Sequence, residues 1–368
     1  MSTASKNPPH PLIAREIRRG TVVPFLGAGV NFGGRPEAAS WQMQAAFLPS
    51  GKELSGYFAD LLEIQTPDPR DLEDLAKVTS YFVNVTGERE TLRDDLRKIF
   101  TQQYRPCSIH NYLAEEALSY VDNLPAYHES SVEKADVKRP VRGTPLLVVT
   151  TNYDDLIETA FKNLNRPYDL VVYPTDRDDL ANAVLWWKDR GHEPGAEPIE
   201  ITPNQLRIDL QKTNVIYKMH GSIDRIKAML DSFVITEEDY VNFLSRLITN
   251  SAVPMQFMSE FRRRRFLFLG YGLNDWNLRV VLSNLHNVLT TEVSHDPGQG
   301  DERRENNGGP PPVSRKSWAI QYQPSDLETE LWRARRVDIF DQDINAFANR
   351  LRDAAKALSS QEVGHERV

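Results

Sequence analysis

The chain carries a single cysteine, Cys107, among 368 residues, and that scarcity excludes a good deal. One thiol forms no internal disulfide, and it cannot by itself build a structural zinc site, which usually takes four Cys or His ligands. Long apolar runs are missing as well. No stretch approaches the ~20 residues a membrane helix requires, and the opening MSTASKNPPHPLIAREIRRG has no continuous apolar segment of the signal-peptide type. The cytoplasm is therefore the expected location, with no membrane partner. Positive charge is in short supply too: 44 Lys and Arg face 52 Asp and Glu, a formal charge of -8. The overall basic field that drives nonspecific binding to nucleic acid is absent, and no direct sequence-specific nucleic-acid contact is expected. The densest basic run, Arg262 to Arg265, directly precedes the apolar FLFLG. It reads as the solvated end of a helix before a buried strand, the alternative being a local basic patch.

What is present suits a compact α/β protein. The composition is 40% hydrophobic and 26% charged, ordinary for a globular chain long enough to bury a substantial core. TVVPFLGAG reads as a buried strand, Val22 to Leu26, entering a glycine turn. A second run, Leu146 to Val149, leads into TTNYDD, after which Leu156, Ile157, Ala160, Phe161 and Leu164 recur at helical spacing. NVIYKMHGS and FLFLGYG supply two more strands, and SWAIQ and VDIF two late ones before the amphipathic INAFANRLRDAAKAL. Short apolar strands separated by helices predict a parallel sheet with helices on both faces. Helical patterning between the first two strands predicts an inserted helical subdomain at about 41–140, and the Pro-, Gly- and charge-rich stretch at about 291–316 predicts a mobile loop.

In such a sheet, ligands bind outside the carboxyl ends of the strands. Gly27, Ala28 and Gly29 follow the first strand, where small residues let backbone N–H groups approach a diphosphate; a tight strand-to-helix turn is the plainer reading. Thr150 to Asp155 brings an amide and two carboxylates to the next strand end, where Thr151 or Asn152 could equally cap a helix. In YKMHGS the strand delivers His220, and Gly221 leaves room for a ligand, while an isolated histidine in this setting is ordinarily structural. GYGLNDW, Gly270 to Trp276, adds Gly270, Gly272, Asn274 and Asp275, suited to binding a ribose or to capping.

Taken in order, these motifs resemble those of the sirtuin-like family: GAGVN for its first glycine motif, TTNYD where protein deacylases usually have TQNID, and MHGS for its histidine motif. The resemblance runs over about residues 20–345. It implies a Rossmann-like NAD-binding domain at 21–345, flanked by an N-terminal arm at 1–20 and a C-terminal helix and tail at 346–368. It further implies that Gly27, Ala28, Gly29 and Asn31 line the diphosphate and ribose, and that Asn152 and Asp154 face the nicotinamide side. His220 would be the catalytic base, with Thr151 and Gly221 beside it, and Gly270, Gly272, Asn274 and Asp275 would hold the adenosine half.

Departures from the deacylase pattern narrow the expectation. The CxxC pairs of the deacylase zinc ribbon are absent, since no cysteine follows Cys107, so no metal is expected. GIPDFR is replaced by GGRPEAASWQ, which leaves the roles of Arg35, Pro36 and Trp41 open. TTNYDD, the HG pair and GYGLNDWNLR are more similar to the bacterial sirtuin-like NAD hydrolases of antiviral defence. That resemblance implies NAD as substrate, a homo-oligomer and a separate activating subunit, most like a HerA-type ATPase. The rival readings are a protein ADP-ribosyltransferase or deacylase using the same NAD site, a noncatalytic sensor of NAD or ADP-ribose, and a scaffold whose glycines are merely turns.

Overall fold

The computed structural model describes residues 7–66, 68–121, 139–177, 180, 182–189, 196–248, 252–271 and 316–365. The described strands are β1 (Val22–Leu26), β2 (Ser119–Val121), β3 (Arg139–Arg142), β4 (Leu147–Thr150), β5 (Asp169–Val172), β6 (Val184–Trp187), β7 (Ile199–Ile201), β8 (Val215–Lys218), β9 (Gly221–Ser222), β10 (Ser232–Phe233), β11 (Arg265–Leu269), β12 (Ser317–Gln321) and β13 (Val337–Asp341). Nine of them form one sheet in the order β13-β12-β11-β1-β4-β8-β5-β6-β7. Every neighbouring pair from β13 to β5 is parallel, and β6 and β7 extend that edge in antiparallel fashion. Such burial is what a parallel sheet covered on both faces demands: β1, β4 and β8 are buried at every position. Pro24 is an exception to strand chemistry inside the central strand. It has no N–H to donate, and β1 pairs with β4 only from Phe25 onward.

Successive strand residues point to opposite faces, so each strand feeds two cores. Val148, Ile216 and Leu267 pack with Ile13 and Ile17 of α1 (His10–Arg18), Ile109 and Leu113 of α5 (Ser108–Glu116), Ile157 and Phe161 of α6 (Leu156–Asn163) and Phe347 and Leu351 of α10 (Ile344–His365). On the other face Val149, Tyr217 and Phe268 meet Phe243 and Leu247 of α7 (Glu237–Ile248), Phe257 and Phe261 of α8 (Met255–Arg263) and Trp332 of α9 (Asp326–Ala334). A third cluster comes from α2 (Gly51–Leu61), α3 (Leu75–Thr86) and α4 (Arg89–Phe100), whose Leu54, Phe58, Phe82, Leu96 and Ile99 pack on Leu156, Ile223, Phe233 and Ile235.

The helical patterning at 41–140 therefore divides. Helices α2 to α4 sit together over the strand ends, while α5 buries its apolar side against α6 and α10 as part of the sheet's own covering layer. Ser119–Val121 and Arg139–Arg142 pair as antiparallel strands within that stretch. The arginine run meets the solvated-end expectation in its first half, Arg262 and Arg263 lying exposed in the last turn of α8 before β11, and departs from it in the second. Arg263 is exposed, but Arg264 is 7% exposed and pairs with Glu260, and Arg265 opens β11 with its guanidinium over Trp318. The segment expected to be mobile, 291–316, lies outside the described residues except for Lys316, which pairs with Asp338.

Candidate functional site

Strand β1 has β4 on one side and β11 on the other, so the chain crosses over in opposite directions from it. Crevices open at such points. Here a cleft of about 410 Å3 lies outside the carboxyl ends of β1, β4, β8 and β11, walled by Ala28, Gly29, Asn31, Asn152, Asp154, His220 and Tyr271 and roofed by Leu48, Ser50, Leu54 and Phe100.

The glycines serve a purpose the sequence does not announce. A Cβ on Gly29 would stand 2.6 Å from the Gly270 oxygen, and Gly270 itself has φ +69 and would drive a Cβ to 2.1 Å from the Val30 nitrogen. The two strand-end loops touch backbone to backbone, and only glycine permits it. The amides of Gly27 and Gly29 donate to Leu269 O and Gly270 O at 2.9 Å each, so neither is available to a diphosphate as the motif suggests. Gly27 lies behind the Tyr271 ring, while Ala28 and Gly29 line the cleft. Gly221 corrects a second expectation. Its φ is +86 and a Cβ there would meet Ser232 O at 2.1 Å, so the residue admits the antiparallel pairing of β9 with β10; it is not among the residues lining the cleft.

The turn after β4 is held from several directions. The Thr150 hydroxyl donates to Leu26 O at 3.0 Å and accepts from the Asn152 amide at 3.0 Å. Asn152 Nδ2 donates to Gly27 O at 3.2 Å, leaving Asn152 Oδ1 buried with no partner. Neither Thr151 nor Asn152 caps α6: Thr151 bonds the Tyr271 hydroxyl at 2.6 Å, and Asp154 Oδ1 accepts from the Leu156 amide at 3.1 Å instead. The other Asp154 oxygen accepts from Asn31 Nδ2 at 2.9 Å, and Asn31 Oδ1 is likewise buried and unpartnered. Burial raises the Asp154 carboxyl, against the opposing pull of Lys218 and Asn31.

His220 arrives on β8, whose register is extended by a Met219 amide bond to Thr150 O at 2.9 Å. Its ring stands edge-on to Phe243 at 4.8 Å and to Tyr240 at 5.7 Å. This apolar surround pushes its pKa down to about 3, so the imidazole is neutral at physiological pH.

Other contributors were not singled out in the sequence. Tyr240 and Phe100 come from helices whose local pattern is that of ordinary core-facing helices. Tyr271 stood in plain view inside GYG. Lys218 had a signal of its own, a charge at the end of an otherwise apolar strand, and it lies wholly buried. Arg35 and Trp41 now have roles. Arg35 pairs with Glu53, and the Trp41 amide donates to the same carboxylate at 2.7 Å, anchoring the glycine loop to the start of α2. Burial opposes ionisation of Glu53, but Arg35 with the Ser50 and Trp41 bonds outweighs it and brings the carboxyl to about 2. Gly272, Asn274 and Asp275 lie outside the described residues.

A mostly parallel, doubly covered sheet with a cleft at its crossover point defines a Rossmann-like α/β ligand-binding domain. The family model of the SIR2-like domain matches residues 146–340, more than half of the chain, and the chain belongs to that family. The matched span carries Asn152, Asp154 and His220, while the first glycine loop lies before it. The chain is also similar to Defense-associated sirtuin 2 of Bacillus subtilis, with 22% identity over 287 residues, covering 77% of this chain and 21% of that protein. It thus spans about a fifth of the length of the relative it matches. Among the described residues no group of His, Cys, Asp and Glu is placed to hold a metal, and no helix is long and apolar enough to cross a membrane.

Proposed function

We propose that the chain is an NAD glycohydrolase of antiviral defence, cleaving NAD to nicotinamide and ADP-ribose when activated. The observation that carries this reading is the buried, unpartnered Asn152 Oδ1, an acceptor held in the cleft wall in company with Asp154 and the neutral His220. Buried polar atoms are almost always satisfied, so an unspent one in a cleft is matched to a ligand hydroxyl or water.

In the proposed reaction the bond from the nicotinamide nitrogen to ribose C1′ breaks, and its electron pair leaves with the ring. Water oxygen bonds C1′, and its proton passes to His220 and on to solvent. Asn152 orients that water or a ribose hydroxyl, and Asp154, fixed by Asn31, faces the carboxamide. Among the described residues lining the cleft there is no Lys or Arg, and Asp154 is the only carboxylate, a balance suited to the cationic nicotinamide ring. A positioned general base contributes about 10² to 10⁴-fold in rate when its pKa lies near the working pH, so the lower end is expected of an imidazole depressed by burial.

Family membership and the relative's name support the defence setting. On the motif resemblance to bacterial defence NAD hydrolases alone we further propose self-assembly and a separate HerA-type ATPase partner, to be tested by light scattering with and without that ATPase. The activity itself is tested by chromatography of NAD incubations: release of both products by wild type, lost in Asn152→Ala, supports the reading. NAD binding with no release under any condition favours a sensor.

A further inference from the structure

Lys218 is wholly buried at the end of β8. An ammonium without partners is strongly unfavourable in such a place, so a buried lysine must recruit acceptors. An ammonium has three donors, and Lys218 spends all of them: on Tyr153 O at 3.2 Å, Asp154 O at 2.5 Å and Glu158 Oε1 at 2.8 Å. Glu158, in the first turn of α6, supplies the countercharge. The other two acceptors are consecutive carbonyls of the turn that presents Asn152 and Asp154. The same lysine lies two residues before His220, on the strand that delivers it.

We propose that Lys218 is a positioning residue that clamps the 153–154 backbone to β8, setting Asn152 and Asp154 in register with His220. This deepens the reading of the cleft as an NAD-cleaving site and rests on it for its kinetic test. Lys218 reaches no cleft-lining surface itself, so it acts only through the turn.

The test combines Lys218→Met with Glu158→Leu, which removes both charges and leaves no carboxylate stranded. The double variant should fold and lose about 100-fold in kcat with KM changed by about 3-fold or less. Adding Asn152→Ala should then lower kcat little further, because both changes disable one device. Wild-type kcat in the double variant, or losses that multiply in full with Asn152→Ala, overturns the proposal. Should that variant not fold, Lys218→Gln, which retains an amide donor, is expected at intermediate kcat, and wild-type kcat there overturns it equally. Amide hydrogen exchange gives a readout independent of activity. Residues 151–155 should exchange about tenfold faster in a folded variant, with β4 and β8 unchanged; unaltered exchange overturns the clamp even if the protein proves not to cleave NAD. Wild type that binds NAD and releases nothing contradicts the hydrolase reading alone.

Discussion

The floor and the roof of the cleft are built from different interactions. The floor is a sheet buried on both faces, where Phe25, Val149, Tyr217 and their neighbours are held chiefly by apolar contact, with the Tyr217 hydroxyl donating to Ala252 O at 2.6 Å. The roof, α2 to α4, shares the third apolar cluster but is also tied down by charge. Arg89, Arg93 and Arg97 lie on successive turns of α4 and pair with Asp239 at 2.7 Å, Asp176 at 2.7 Å and Asp231 at 2.6 Å. Arg225 returns the contact, bonding Asp155 and the carbonyls of Thr101 and Gln102 at the end of α4. Apolar burial is non-directional and contributes most of the stability, whereas buried ion pairs fix register at little net gain because desolvation offsets the attraction. The floor thus sets whether the protein folds, and the ion pairs set where the roof sits above Asn152 and His220.

That contrast breaks first at the floor. Phe161 of α6 is fully buried, and Phe161→Ala should lower stability by about 3–5 kcal/mol in denaturant unfolding, the sum of lost transfer energy and a residual cavity. A loss below about 1 kcal/mol would show that this face repacks freely. At the roof, Asp176→Ala removes a 1% exposed carboxylate and strands the partly exposed Arg93, for an expected loss of about 2 kcal/mol. Unlike the floor variant it should be rescued by a second apolar change, Arg93→Met, leaving an altered KM as its lasting mark.

Between floor and roof stands His220, whose folded pKa of about 3 lies below its ordinary 6.5. Its neutral burial is a stabilising arrangement above pH 6.5 that is lost as pH falls toward 3, since only the unfolded chain takes up the proton. The loss by pH 5 is about 2 kcal/mol, so acid melts of His220→Phe should fall less steeply than those of wild type. The kcat/KM profile should correspondingly show no His220 inflection near 6.5. Smallest is Tyr271→Phe, which removes only the hydroxyl bonded to Thr151 and should change KM by about 5-fold or less with kcat nearly intact.

The same division decides how much could be read from the sequence. Strands β1, β4, β8 and β11 were legible because a strand between two helical layers is largely apolar, and β12 and the half-buried edge strand β13 because of their short runs of β-branched and aromatic residues. The antiparallel edge, β6 and β7, was not, being short and set by pairing rather than by a pattern of its own. Asn152, Asp154 and His220, which line the cleft, stood out as polar residues at the ends of buried strands, but taken alone they read as a cap and a structural histidine, and the family resemblance singled them out. The glycines were found for an incomplete reason. Gly29 and Gly270 are needed by each other and Gly221 by Ser232, long-range contacts that no local spacing reveals. The arginines of α4 carry no local signal of their role, since only the folded chain brings Asp176, Asp231 and Asp239 to them.

The most direct test of the central claim is incubation of the purified protein with NAD, alone and with lysate of phage-infected cells, following nicotinamide and ADP-ribose by chromatography beside Asn152→Ala and His220→Ala proteins shown folded by circular dichroism. The account predicts equimolar nicotinamide and ADP-ribose from wild type, with both variants reduced at least about 100-fold. Turnover above half of wild type in either folded variant would contradict the assignment of this cleft as the site of NAD cleavage.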